Sequence, residues 1–157
     1  MVTAKSSPDL VELSTAWSEA YRNGDESFAP AHVADGEVAI FGSAPEDESF
    51  IGRDAVLSVT IARAKEINRD AGVSTDVDPD PQTQAWEAGN AGWAVTHGNQ
   101  PLADGATVPI RTIVVYARDD NGNWKTVFGA SHVLVSNDAL RPESPAYAVL
   151  TEPPSAT

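Results

Sequence analysis

The sequence predicts an α+β domain in which about three N-terminal helices pack on one face of a curved antiparallel sheet. Two observations predict it. Apolar residues recur at helical spacing through the first 70 or so positions and then switch to strand alternation. Turn-forming residues punctuate the second half at intervals that suit a meander. Helices followed by consecutive strands indicate helices laid on one side of a sheet, and argue against βαβ alternation and a dinucleotide fold.

The first helix opens at Ser7-Pro8-Asp9, with Ser7 as N-cap, Pro8 at the first helical position and Asp9 near the positive end of the dipole. Leu10, Leu13, Trp17 and Ala20/Tyr21 give it one apolar face, and Asn23-Gly24 stops it. A short helix is expected over 25–33 and a strand over 37–42. A turn through Pro45 leads back over 49–51 to Gly52, and a third helix runs from Arg53 to about Asn68. The stretch 76–81, broken by Pro79 and Pro81, reads as a loop or edge strand. Strands over 84–87 and 92–97 flank Gly89-Asn90, and longer strands over 108–116 and 124–135 are joined through Asp119-Asp120-Asn121-Gly122. The resulting plan is a flexible N-terminus over 1–7, one domain over 8–137, and an extended tail over 138–157 that carries Pro142, Pro145, Pro153 and Pro154.

Composition narrows the function. The chain has 157 residues, the usual size of one domain, with 41% hydrophobic residues, enough for a core without staples. No cysteine is present, which removes disulfides, thiolate metal sites and thiol nucleophiles. Asp and Glu number 23 against 10 Lys and Arg, a net charge of −13 that repels phosphate backbones and anionic lipid. Nucleic acid and membrane surfaces are therefore not expected partners. The opening MVTAKSSPDL lacks the apolar core of a signal peptide, no run reaches the length of a membrane span, and a cytoplasmic protein is expected. No phosphate loop or nucleophile elbow appears, and no cofactor is implied. Asp76, Asp78 and Asp80 alternate, but they lack the glycine and glutamate of a calcium loop, so no metal is expected.

Phe41-Gly42-Ser43-Ala44-Pro45-Glu46-Asp47-Glu48, followed by Gly52-Arg53-Asp54-Ala55-Val56, resembles a run found in SnoaL-like domains of the nuclear-transport-factor-2-like superfamily. Gly92-Trp93-Ala94-Val95, 108–112 and 123–127 resemble the later strands of that family. Trp17 with Tyr21-Arg22-Asn23-Gly24-Asp25 resembles its first helix. The resemblance covers roughly residues 8–137. It implies a cystatin-like cone with a pocket between sheet and helices, and dimers formed through the outer sheet face. The chain departs from the family pattern on the last strand, where Ala130 stands in place of a common histidine and His132 in place of a serine. The ketosteroid isomerase machinery of the superfamily, a tyrosine and two aspartates, would fall on Trp17, Arg111 and Ile40. Indole has no phenolic proton and isoleucine takes none, so that mechanism is not expected.

A pocket lined by Trp17, Tyr21, Phe41, Trp93, Arg111, Phe128 and His132 is the resulting site expectation. Arg111 interrupts an apolar strand, so it either grips an anionic or carbonyl group, pairs with Glu46 or Glu48, or faces solvent. His132 shares a strand face with Phe128 and Ala130, and it is the candidate for proton transfer. Two functions remain: a small-molecule-binding domain without chemistry of its own, or an isomerase, cyclase or hydrolase using His132 with Arg111 stabilising an anion. The strands over 108–116 and 124–135 carry apolar residues on both faces. Helices cover only one face, so a homodimer through the other is expected.

Overall fold

The computed structural model describes residues 3–42, 48–69, 81–101 and 106–134. Its elements are β1 (Lys5–Ser6), α1 (Pro8–Arg22), α2 (Phe28–His32), β2 (Ala39–Phe41), β3 (Ser49–Ile51), α3 (Arg53–Arg69), β4 (Gln82–Ala88), β5 (Ala91–Pro101), β6 (Thr107–Arg118) and β7 (Trp124–Val133). The strands form one seven-stranded sheet in the order β1-β4-β5-β6-β7-β2-β3. The expected α+β layering is present. The sheet is mixed rather than wholly antiparallel, because β2 runs parallel to β7.

The turn chemistry explains the meander. Gly89 adopts φ 62°, a left-handed conformation open to glycine, and lets Ala88 pair directly with Ala91 across a two-residue turn. At the next turn Asp119 Oδ1 accepts from the backbone N–H of Asn121 at 3.0 Å and of Asn123 at 2.8 Å. Those bonds hold its carboxyl below the usual range.

One expectation at the N-terminus needs correction. Lys5–Ser6, expected within a flexible end, is an edge strand paired with Trp86 and Glu87 of β4. Ser7 does stand at the N-cap of α1, but its hydroxyl makes no cap bond. It donates instead to Glu87 Oε2 at 2.9 Å, while Lys5 Nζ pairs with the same carboxylate at 2.8 Å. A tertiary carboxylate won over the local cap, and these bonds hold the Glu87 carboxyl below its ordinary value. The second helix is shorter than its expected span of 25–33 because Asp25 turns back on Ser27, accepting from its N–H at 2.8 Å.

Helix α1 lies across the sheet with Leu10 fully buried among Ala85, Ala94, Tyr116 and Trp124. Burial of such a leucine contributes about 1.5–3 kcal/mol. Gly92 permits this close approach, since a Cβ there would collide with Leu10 Cδ1. A second cluster, Ala29, Val33, Val38 and Val56, fastens α2 and α3 near β2 and packs against Trp17 and Ile40. Between the two clusters the layers separate. The tail over 138–157, the end of the expected last strand at Val135, and the loop with Asp76, Asp78 and Asp80 lie outside the described residues.

Candidate functional site

Strand alternation and the ladder register lay out the concave face in rows. Ala85, Ala94, Val114 and Gly129 are successive partners across β4, β5, β6 and β7. The next row is Thr83, Thr96, Thr112 and Ser131. Ala85 and Ala94 are sealed beneath Leu10, but at Val114 and Gly129 the helix layer does not close onto the sheet, and a cavity of about 390 Å³ remains. Ser14, Trp17, Ser18 and Tyr21 of α1 form its roof. Thr96, Ile110, Thr112, Val114, Gly129 and Ser131 form its floor, with Ile40, Phe41, Glu48 and Arg63 along its sides. This volume lies in the range of sites for small organic ligands, roughly 300–1,000 Å³.

Hydrogen bonds fix the roof to the floor. The Ser14 and Tyr116 hydroxyls are 2.8 Å apart and both residues are buried. Trp17 Nε1 donates to Thr126 Oγ1 at 3.1 Å, which leaves its ring against the cavity and edge-on to Phe28. Burial pushes the Tyr116 phenol up to about 12, against the opposing bond from Ser14. The closed end is finished by Trp124, with the Arg118 guanidinium 4.0 Å above its ring. Trp124 therefore plugs the sheet end, as its place after a turn suggests.

The sequence-derived site residues divide between the two faces. Trp17, Tyr21 and Phe41 border the cavity. Phe41 also sets its ring 5.7 Å from that of Phe128. Trp93, Arg111, Phe128 and His132 do not line the cavity. Arg111 and His132 do share a face, as direct partners between β6 and β7. That face is the convex one, because their neighbours Thr112 and Ser131 point into the cavity. Both are exposed, and His97 completes the same row beside Arg111. Trp93 stacks on Trp86 at 6.3 Å on that side. Arg111 has no ion pair among the described residues, and Glu48, its expected alternative partner, lines the cavity instead.

Trp93 and Arg111 follow the unbroken alternation of β5 and β6, whereas on β7 the parity changes at a β-bulge. Tyr116 pairs with Thr126 but Val115 pairs with Phe128, so Val127 is an extra residue. Trp124 and Thr126 lie on the cavity side. Past the bulge the parity flips, turning Gly129 and Ser131 inward and Phe128 and His132 outward, while Ala130 is buried and its backbone borders the cavity. Sequence reasoning missed Ser14, Thr96, Thr112 and Ser131. The available signal was a hydroxyl residue at one register on each of four successive strands.

No family model matches the chain, and no curated protein does. Solved structures do. A nuclear-transport-factor-2-like protein of unknown function from Pseudomonas putida KT2440 superposes with a TM-score of 0.61 at 18% identity, over 83% of this chain and 88% of that one. A ketosteroid isomerase-like protein from Erwinia carotovora atroseptica SCRI1043 gives 0.52 at 16% identity, over 80% and 94%. The chain has the nuclear-transport-factor-2-like fold.

Proposed function

We propose that this chain is a small-molecule-binding domain of SnoaL-like type that holds its ligand between α1 and the concave face of the sheet. The observation that carries this reading is the cavity's construction. A roof pinned by Ser14–Tyr116 and Trp17–Thr126 stands over a floor kept open by Val114 and Gly129. No histidine or aspartate lines it among the described residues. The one carboxylate of the described lining, Glu48, has no histidine beside it there, so binding without chemistry is favoured over proton transfer, which in the alternative reading would use His132 and Arg111.

Gly129→Leu tests the reading. A Cβ at this position would meet Ile40 Cγ1 at 3.6 Å, an ordinary contact, so the longer side chain enters the cavity without backbone strain. A thermal-shift screen of steroids, small carboxylates and aromatic polyketide-like compounds is expected to find stabilising ligands for the native chain and none for the variant. Equal stabilisation of both would place binding elsewhere.

The convex face supports a second copy of the chain as partner. Two adjacent rows there, Gln84–Val95–Ile113–Ala130 and Trp86–Trp93–Val115–Phe128, are almost wholly apolar, and the described helices pack on the opposite side. A homodimer through this face would cover them. The described residues contain no helix long and apolar enough to cross a membrane. A cytoplasmic setting belongs to this proposal and rests on composition.

A further inference from the structure

We propose that the cavity selects an uncharged ligand and receives its carbonyl or hydroxyl oxygen between Thr96 and Thr112. This inference rests on the small-molecule-binding reading and assigns the chemical class to that site. Thr83, Thr96, Thr112 and Ser131 form one continuous register row across four strands. The outer members bond inward in pairs: Thr83 Oγ1 to Thr96 Oγ1 at 3.0 Å, and Thr112 Oγ1 to Ser131 Oγ at 3.0 Å. Between the hydroxyls of Thr96 and Thr112, also direct cross-strand partners, no hydrogen bond forms. The row is thus two closed pairs with a gap at its centre, and both residues flanking the gap line the cavity.

The proton count gives the gap its preference. Each hydroxyl carries one O–H, and each pair spends one of its two on the internal bond. One donor per pair remains, with no other partner among the described residues, and lone pairs remain as well. A carbonyl oxygen seated at the gap can accept from both sides, and a ligand hydroxyl can accept from one pair and donate to the other. Replacing these contacts by hydrocarbon leaves half-buried donors unmet.

Charge excludes the alternatives. The two ionised residues among the described lining, Glu48 and Arg63, are of opposite sign. Arg63 is exposed and paired with Glu66 at 3.2 Å. A carboxylate at the Thr96–Thr112 gap would lose its hydration and would have to compete with Glu66 for Arg63. The ligand's body would lie on Val114 and Gly129 beneath Trp17, which suits a flat apolar skeleton.

Three matched probes test the idea by calorimetry: 2-acetylnaphthalene, 2-ethylnaphthalene and 2-naphthoate. The ketone is expected to bind at least fivefold more tightly than the hydrocarbon and the carboxylate. Thr96→Val and Thr112→Val should each erase the preference for the ketone while leaving 2-ethylnaphthalene binding within twofold, and Thr112→Ser should retain it. Circular dichroism confirms folding of each variant, and Thr112→Ser keeps the test decisive if either valine variant unfolds. Equal binding of the ketone and the hydrocarbon, or tightest binding of 2-naphthoate, overturns the proposal and leaves the binding reading intact. If none of the three binds, the small-molecule reading itself fails.

Discussion

The two faces of this sheet are built by the same strands, yet they share almost no chemistry. The concave face presents threonine, serine, alanine and glycine under a helix that is hydrogen-bonded to the floor. The convex face presents Trp86, Trp93, Val95, Ile113, Val115 and Phe128, bordered by His97, Arg111 and His132. In a chain with 23 acidic residues, the convex rows from Gln82 to His132 contain no carboxylate. The lesson is that residue type alone misassigns the faces here. Aromatic and ionisable groups suggest a site, yet the cavity is made by small residues that leave space and by hydroxyls that line it.

The largest expected effect comes from breaking the seal on the concave side. Leu10→Ala should cost about 2–5 kcal/mol in urea unfolding, because the buried closed end has no neighbouring side chain free to refill it. A loss below about 1 kcal/mol would show that the helix layer is not anchored there. The next effect is alkaline. The folded-state value for Tyr116 is about 12, above its ordinary 10. The native state therefore keeps a proton that the unfolded chain loses between those values. The associated stability, about 2–3 kcal/mol, is complete below pH 10 and disappears as pH rises through 12. Tyr116→Phe should flatten this part of the stability profile relative to the native chain, and parallel profiles between pH 9 and 11.5 would contradict it.

Two smaller effects probe the convex side. Val115→Arg, one residue from the cavity-lining Val114 but on the opposite face, is expected to weaken dimerisation at least tenfold, about 1.4 kcal/mol. Ligand affinity should stay unchanged. Sedimentation showing a monomer of 16.5 kDa for the native chain at micromolar concentration would remove the dimer from the proposal. Arg111→Gln and His132→Gln should change stability by no more than about 0.5 kcal/mol, as exposed substitutions usually do. They should also leave ligand affinity within twofold. Loss of binding or of a turnover activity in either variant would restore the enzyme reading.

The amino-acid pattern by itself determined the first and third helices, the meander and the alternation of β5 and β6, because these follow from local spacing and turn chemistry. Pro8 and Asn23-Gly24 bound α1, and Gly89-Asn90 and the 119–122 turn bound the hairpins. It also determined which residues share a face within β6, and that His132 shares one with Phe128, but the pairing of Arg111 with His132 came from the ladder register. Only the tertiary structure decided which face holds the cavity. A single extra residue, Val127, reverses the parity of β7, and a period-2 pattern carries no mark of where such a bulge falls. The cavity itself was equally hidden, since it exists where Thr96, Thr112, Val114 and Gly129 from three separate strands line up and fail to fill the space beneath α1. Register across strands is a long-range property, and the volume it leaves open depends on all four residues at once.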